Sequence, residues 1–220
     1  MTSLFEINKK AKIKTEVFKG SPIYYIDDFY QDVNSVKNFI LSHEAPLWKK
    51  EEKPSYNGVF FEDRRLVVDV EGQEQVTEFF RGLCGEGPLF NPQSLRTNYT
   101  KFTDRSFNLY KDSHWFPHND SGYTALIYLN EGEMPGTNLY EPLTNPPYFP
   151  VREHYQPWVS KELWKCVKNL EAKFNRAVFF DGKKFSHGMA IEDDRFFSEW
   201  RLNQVIFFDG IPTHYHGGKT

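Results

Sequence analysis

Cysteine is nearly absent from this chain: 220 residues contain only Cys84 and Cys166. With no C-x-x-C spacing they supply neither a disulfide framework nor a structural zinc site, and they read as two reduced thiols in a cytoplasmic protein. Long hydrophobic runs are missing too. None approaches the roughly 20 apolar residues of a membrane span, and Met1 leads into a Lys-rich segment rather than an apolar leader. Excess positive charge is also lacking. A net charge of −3 gives no basic footprint, so neither a nucleic-acid partner nor a membrane is expected. There is no internal repeat, no low-complexity tract, no glycine-rich phosphate loop and no convincing Ser/His/Asp set. Aromatic residues are what the chain has in abundance. Its 21 Phe, 12 Tyr and 5 Trp can fill a sizeable core, and the length allows one domain over residues 1–220.

The pattern of hydrophobic residues changes near residue 95. Before it, IKTEVF reads as an edge strand and SPIYYIDDFY as a strand ending in a turn. Val33, Val36, Phe39 and Ile40 then recur at helical spacing, and Val76, Phe79, Phe80 and Leu83 share one side of a second helix over 72–84. After it come short β runs with turn signals: LRTNYTKFT, SFNLYK, YTALIYLN, TNLYEP, RAVFFDG and RLNQVIFFDG. Residues 141–165 carry five prolines (Pro142, Pro146, Pro147, Pro150, Pro157) and a possible short helix around SKELWKCVKNL. They read as an insertion, a lid or substrate wall presenting Tyr148, Phe149, Tyr155 and Trp158. The expected fold is mainly β (α+β). Helical support over about 1–94 flanks a double-stranded β-helix core of jelly-roll or cupin-like type over about 95–210.

The chemistry centres on His118-Asn119-Asp120. Residues i and i+2 of a strand point to the same side, so His118 and Asp120 can aim at one point, and His187 from a distant strand would complete three ligands. Two nitrogens and one carboxylate oxygen with open positions suit ferrous iron. Zinc accepts the same donor types. Arg201 opens the apolar run RLNQVIFF and shares a side with Asn203, Val205 and Phe207 at period two. If that side is the interior, the cation needs an anion, and a planar guanidinium suits a carboxylate. The bland alternative is a salt bridge at the domain edge with an acid such as Glu199. Tyr128 shares the side of Thr124 and Leu126, so its hydroxyl would reach the same cavity. His214 and His216 read as a tail rather than extra ligands, and Trp115 and Phe116 as packing.

Over about 105–209 the chain resembles the Fe(II)/2-oxoglutarate-dependent dioxygenases, in particular the prolyl 4-hydroxylase-like branch. Five pieces occur in order: NLYKDSHWFPHND, TALIYLN, GTNLYEP, NRAVFFDGKKFSHGM and RLNQVIFFD. The resemblance implies that His118, Asp120 and His187 bind iron, that Arg201 grips the distal carboxylate of 2-oxoglutarate, and that Tyr128 donates a hydrogen bond to it. Tyr110 would line the same pocket, and Asn203 would stand beside Arg201. It further implies Fe(II), 2-oxoglutarate and O2 as cofactor and cosubstrates, with hydroxylation of a substrate and release of succinate and CO2. Asp120 stands where related iron halogenases have a small residue, so hydroxylation rather than halogenation is implied. Two departures concern geometry: Thr137 replaces the second glycine of a Gly-Gly pair, and Arg201 lies 14 residues beyond His187, a longer gap than in many relatives. Arg195 competes with Arg201 on spacing, but it sits in EDDRFF beside Asp193 and Asp194, a solvated turn. Two other readings stand beside this one: a cupin-like metalloenzyme using no oxo acid, and a non-catalytic jelly-roll binding module. The substrate is open between a small molecule, an amino acid and a peptidyl side chain, and the oligomeric state is not legible.

Overall fold

The computed structural model describes residues 3–43, 61–67, 73–84, 91–92, 95–143 and 158–209. In chain order these form β1 (Lys12–Phe18), β2 (Ser21–Asp27), α1 (Val33–Ser42), β3 (Phe61–Leu66), α2 (Gln73–Cys84), β4 (Asn91–Pro92) and β5 (Arg96–Phe102). They continue with α3 (Asp104–Asp112), β6 (His114–Trp115), β7 (Tyr123–Tyr128), β8 (Met134–Pro142), β9 (Val159–Ser160) and β10 (Trp164–Ala172). The chain closes with β11 (Arg176–Asp181), β12 (Ser186–Met189), a 3-10 turn at Asp194–Phe197 and β13 (Arg201–Asp209).

The protein is mainly β, and its strands pair antiparallel. A large sheet runs in the order β1-β2-β11-β7-β13-β5-β3, with β4 also on β13; a smaller one runs β10-β8-β12, and β6 pairs with β9. From β7 onward the longer strands pass between the two sheets: β7 large, β8 and β10 small, β11 large, β12 small, β13 large.

The central strands β2, β7, β11 and β13 of the large sheet are buried on both sides, so they read as apolar runs rather than clean alternations, while β1 at the edge is mostly exposed. The sheet's outer side (Ala125, Ile127, Phe179, Ile206, Phe208) takes Val36 and Ile40 from α1 and Val76 and Phe80 from α2. α1 starts where Asp32 accepts from the Ser35 N–H at 3.0 Å, a side-chain cap for an otherwise orphaned donor. The inner side (Tyr128, Val178, Phe180) packs with Leu139 and Leu170 of the small sheet. Burying each large side chain of this kind is worth about 1.5–3 kcal/mol. No helix among the described residues is long and apolar enough to cross a membrane.

Two local expectations are corrected. SFNLYK is not a strand but lies in α3, because Thr103 and Ser106 cap each other's backbone N–H groups and start a helix there. SKELWKCVKNL is not a helix: it turns and then enters β10, paired along β8. The expected insertion is therefore shorter than 141–165, since β8 runs to Pro142 and β10 begins at Trp164. Its Tyr148, Phe149 and Tyr155 lie outside the described residues, as do His214 and His216. The N-terminal support is not helical alone either, because β1 and β2 extend the large sheet.

Candidate metal centre

His118 and His187 face each other across an isolated antiparallel bridge. Each backbone N–H donates to the other's carbonyl, at 2.8 and 2.7 Å, and the rings stand 4.5 Å apart, centre to centre. Directly opposed residues project to the same side of a sheet. That side is the inner one, since His187 also pairs with Leu139 on β8. Asp120, two residues on, is anchored by its own N–H to the Gly182 carbonyl at 3.0 Å, and its Oδ2 lies 3.1 Å from His187 Nε2. Donor atoms about 2.1 Å from one ion sit roughly 3 Å apart when adjacent. The three possible ligand atoms lie within 4.8 Å of one another.

The surroundings orient these groups. His187 Nδ1 is 2.8 Å from the Phe185 carbonyl, an acceptor, so that nitrogen carries a proton, and Nε2 is the atom turned to Asp120 and the centre, able to ligate once its own proton is lost. Thr124, buried on β7, donates its hydroxyl to Asp120 Oδ2. Burial pushes the Asp120 carboxyl up, but the charge and hydrogen bond of His187, the nearby His118 and the Thr124 hydroxyl outweigh it and hold the group at about 2. Burial acts to lower His187, and the Asp120 carboxylate overrides it and raises the imidazole. Gly182 is the clearance that permits this contact: a Cβ there would stand 2.4 Å from Thr124 Oγ1 and 2.9 Å from Asp120 Oδ2.

Farther along the inner side of the large sheet lies Arg201, only 4% exposed. Its Nη1 donates to Asn203 Oδ1 at 3.0 Å and Nη2 reaches the Gly136 carbonyl at 3.5 Å, while Nε has no hydrogen-bond partner. No described acid pairs with it, and burial pulls its pKa down. Two other arginines differ in this respect. Arg176 is held in two-pronged fashion by Asp27, at 2.5 and 3.1 Å. Arg195 pairs with Asp193 at 3.1 Å in the 3-10 turn and donates to the Glu131 carbonyl.

Tyr128 lies beside Arg201, its ring centre 5.9 Å from the guanidinium carbon, and its hydroxyl donates to Thr137 Oγ1 at 3.0 Å. Asn203 is opposite Tyr128 on one flank and Asn98 on the other. Tyr110 is not brought to this group. Its hydroxyl donates to Glu192 at 3.1 Å and accepts from Asn138 Nδ2 at 2.7 Å. Asn138 lies between Thr137 and Leu139 on β8, and both of those face inward, so alternation puts Tyr110 on the outer side of the small sheet. The expectation that Tyr110 lines the Arg201 pocket, which the resemblance implies, is corrected accordingly.

Sequence reasoning missed Thr124 and Gly182 at the triad. It also missed Thr100, opposite Arg201, and Asn98, whose Oδ1 is buried without a hydrogen bond. The available signal was the period-two row Asn98, Thr100, Phe102 in RTNYTKF. Trp158 packs 5.1 Å from Phe116, which is itself 6.1 Å from the His118 ring.

No family model matches the chain, and no curated protein does. Solved structures similar to it include a 2OG-Fe(II) oxygenase family oxidoreductase from Burkholderia pseudomallei, at 12% identity over 88% of each chain with a TM-score of 0.49. A Pseudomonas putida prolyl-4-hydroxylase is 12% identical over 80% of this chain and 83% of its own, TM-score 0.42. The epimerase SnoN, solved with Fe3+, alpha ketoglutarate and nogalamycin RO, is 12% identical over 90% and 82%, TM-score 0.45. With TM-scores below 0.5 these likenesses carry no weight for the chemistry, which is read from the side chains.

Proposed function

We propose that the protein is a single-domain Fe(II)- and 2-oxoglutarate-dependent oxygenase that hydroxylates a small molecule or an amino-acid or peptidyl group in the cytoplasm. The passage of strands between two sheets from β7 to β13 supports a double-stranded β-helix as its core. His118, Asp120 and His187 would hold the ion. Two imidazole nitrogens and one carboxylate suit ferrous iron, with room for cosubstrate and O2. When bound, iron with 2-oxoglutarate and O2 supplies the oxidising power, and the balance is R–H, 2-oxoglutarate and O2 giving R–OH, succinate and CO2. This chain's residues bind and orient. Asp120 stays ionised, Thr124 fixes its Oδ2, and Phe185 fixes the His187 tautomer.

The observation that carries the reading is Arg201, a buried guanidinium without a described acid, on the same inner side as the triad. An unpaired buried cation is costly, and a dicarboxylate cosubstrate offers the missing partner. A metalloenzyme using no oxo acid, or a binding module, leaves that cation unexplained. Tyr128 and Asn203 flank the place where the carboxylate would sit. Phe116 and Trp158 would then line the approach to the ion.

The test is a 2-oxoglutarate titration, reading succinate and metal-dependent cosubstrate binding, for the wild type, Arg201→Ala and Arg195→Ala. Removing one partner of a buried charge pair costs on the order of 2–5 kcal/mol, or roughly 30-fold and upward in affinity. Arg201→Ala should show that loss and Arg195→Ala at most a few-fold change. The reverse order, or no 2-oxoglutarate binding by the metal-loaded wild type, would sink the proposal.

A further inference from the structure

On the outer side of the small sheet, between α3 and the turn after β12, lies a cavity of about 390 Å3 walled by Phe107, Trp115 and Ile191. Two opposite charges, Lys161 and Glu192, also line it. Lys161 Nζ lies 4.3 Å from the Trp115 ring centre and 5.0 Å from that of Tyr110, and it donates to the Tyr110 carbonyl. Partial burial pulls its pKa down, while Glu192 and Asp112 act on it without forming an ion pair. Glu192 is placed by the Tyr110 hydroxyl at 3.1 Å. Tyr110 is in turn held by Asn138, and Asn138 by Asn169 at 2.6 Å. Two cations, Lys161 and Lys111, and one anion, Glu192, therefore line the cavity, and of these Lys161 and Glu192 are held in position by Tyr110 without pairing with each other. Lys111 stands exposed at the rim.

We propose that this cavity binds a small zwitterion of the amino-acid class, at a site separate from the metal centre. Its carboxylate would meet Lys161, its ammonium Glu192, and its apolar body the walls of Phe107, Trp115 and Ile191. The charge pattern selects this class. A simple anion would bring a like charge towards Glu192, and a simple cation would do the same to Lys161. A neutral ligand would strip water from both groups and return hydrogen bonds but no countercharge. Only a ligand carrying both signs meets each of these two groups with an opposite charge while covering the rings. The site is apart from the triad because Asn138 points away from the side of Leu139 and His187. It is nonetheless attached to it through the chain: Trp115 is three residues before His118, and Glu192 five after His187.

The experiment is calorimetric titration of the metal-free full-length protein with the common L-amino acids. The tightest binder is then compared with its amine-only and acid-only analogues. A charge-assisted hydrogen bond lost on either side should weaken binding about tenfold or more. Lys161→Met should bind the zwitterion no better than the amine analogue, and Glu192→Gln no better than the acid analogue. The double variant His118→Ala/His187→Ala should bind as the wild type does, which keeps this outcome independent of the oxygenase reading. The analogue comparison uses unaltered protein and stands even if a variant misfolds. The proposal is overturned if no amino acid binds in the millimolar range or below, or if either analogue matches the zwitterion. It is equally overturned if the preference survives in both charge variants, or if the histidine double variant abolishes binding.

Discussion

Replacing Gly182 with alanine should damage metal binding without altering any ligand. The added Cβ would stand 2.4 Å from Thr124 Oγ1, 2.9 Å from Asp120 Oδ2 and 3.0 Å from the Gly122 carbonyl. Ordinary contact begins near 3.4 Å, so the carboxylate must retreat by about half an ångström and the Thr124 hydroxyl by about one. Movement of this size exceeds the roughly 0.5 Å within which a functional constellation tolerates displacement. Neither neighbour can retreat freely, because Thr124 is 1% exposed and Asp120 is tied to the Gly182 carbonyl through its own N–H. Disturbing the groups that orient a ligand typically weakens metal binding 10- to 100-fold, about 1.4–2.8 kcal/mol at 1.4 kcal/mol per decade. The assay is anaerobic Fe(II) or Mn(II) titration against a competing chelator, alongside circular dichroism to verify the fold. Gly82→Ala in α2 is the control, because a Cβ there meets nothing within 4 Å. If Gly182→Ala binds metal within twofold of the wild type, Thr124 does not hold Asp120 in its ligating position and the reasoning fails.

Two further outcomes concern stability and pH. Asn175 holds a left-handed backbone (φ 61°), and its side chain bonds both the N–H and the carbonyl of Tyr30, at 2.8 and 3.0 Å. Asn175→Ala should cost about 1–2 kcal/mol for the backbone and about 1–3 kcal/mol for the buried groups it strands, and Asn175→Gly should recover only the backbone part; equal urea midpoints for the two variants would refute this. Hydrogen bonding to Arg176 lowers the Asp27 carboxyl below its usual 3.8, so its contribution is present above that value and is lost as pH falls through the lowered one. Asp27→Asn should therefore flatten the acid limb of the stability curve, and an unchanged limb in acid titrations would count against the pair.

The parts of the site that were legible in the sequence are those written in local periodicity. The two-apart spacing pairs His118 with Asp120, which do come together, although their segment forms only an isolated bridge at His118 and not the expected strand, and Arg201 stands out as a charge opening the buried apolar strand β13. What was illegible depended on pairing partners. In β10 the register with β8 shifts between Cys166 and Lys168, so its apolar residues Trp164, Val167 and Leu170 fall three apart and imitate a helix. The opposite error arose at α3, where Phe107 and Leu109 alternate with polar neighbours as a strand would, while the cap at Thr103 decides for a helix. The need for glycine at position 182 could not be seen either, because Thr124 reaches Asp120 only after β7 and β11 have paired.

The bridge between His118 and His187 would let an ion at the triad proofread sheet assembly. These residues lie about 70 positions apart in the chain, and a slip of one position at β12 would place Ser186 or Gly188 opposite His118. The same slip would turn the His187 imidazole to the other side of the small sheet. An ion gripping both histidines would reward only the correctly threaded edge, at a stage when the rest of that short strand has few hydrogen bonds to distinguish one alignment from the next. The supply of a divalent ion during synthesis would then govern how many chains reach the native pairing.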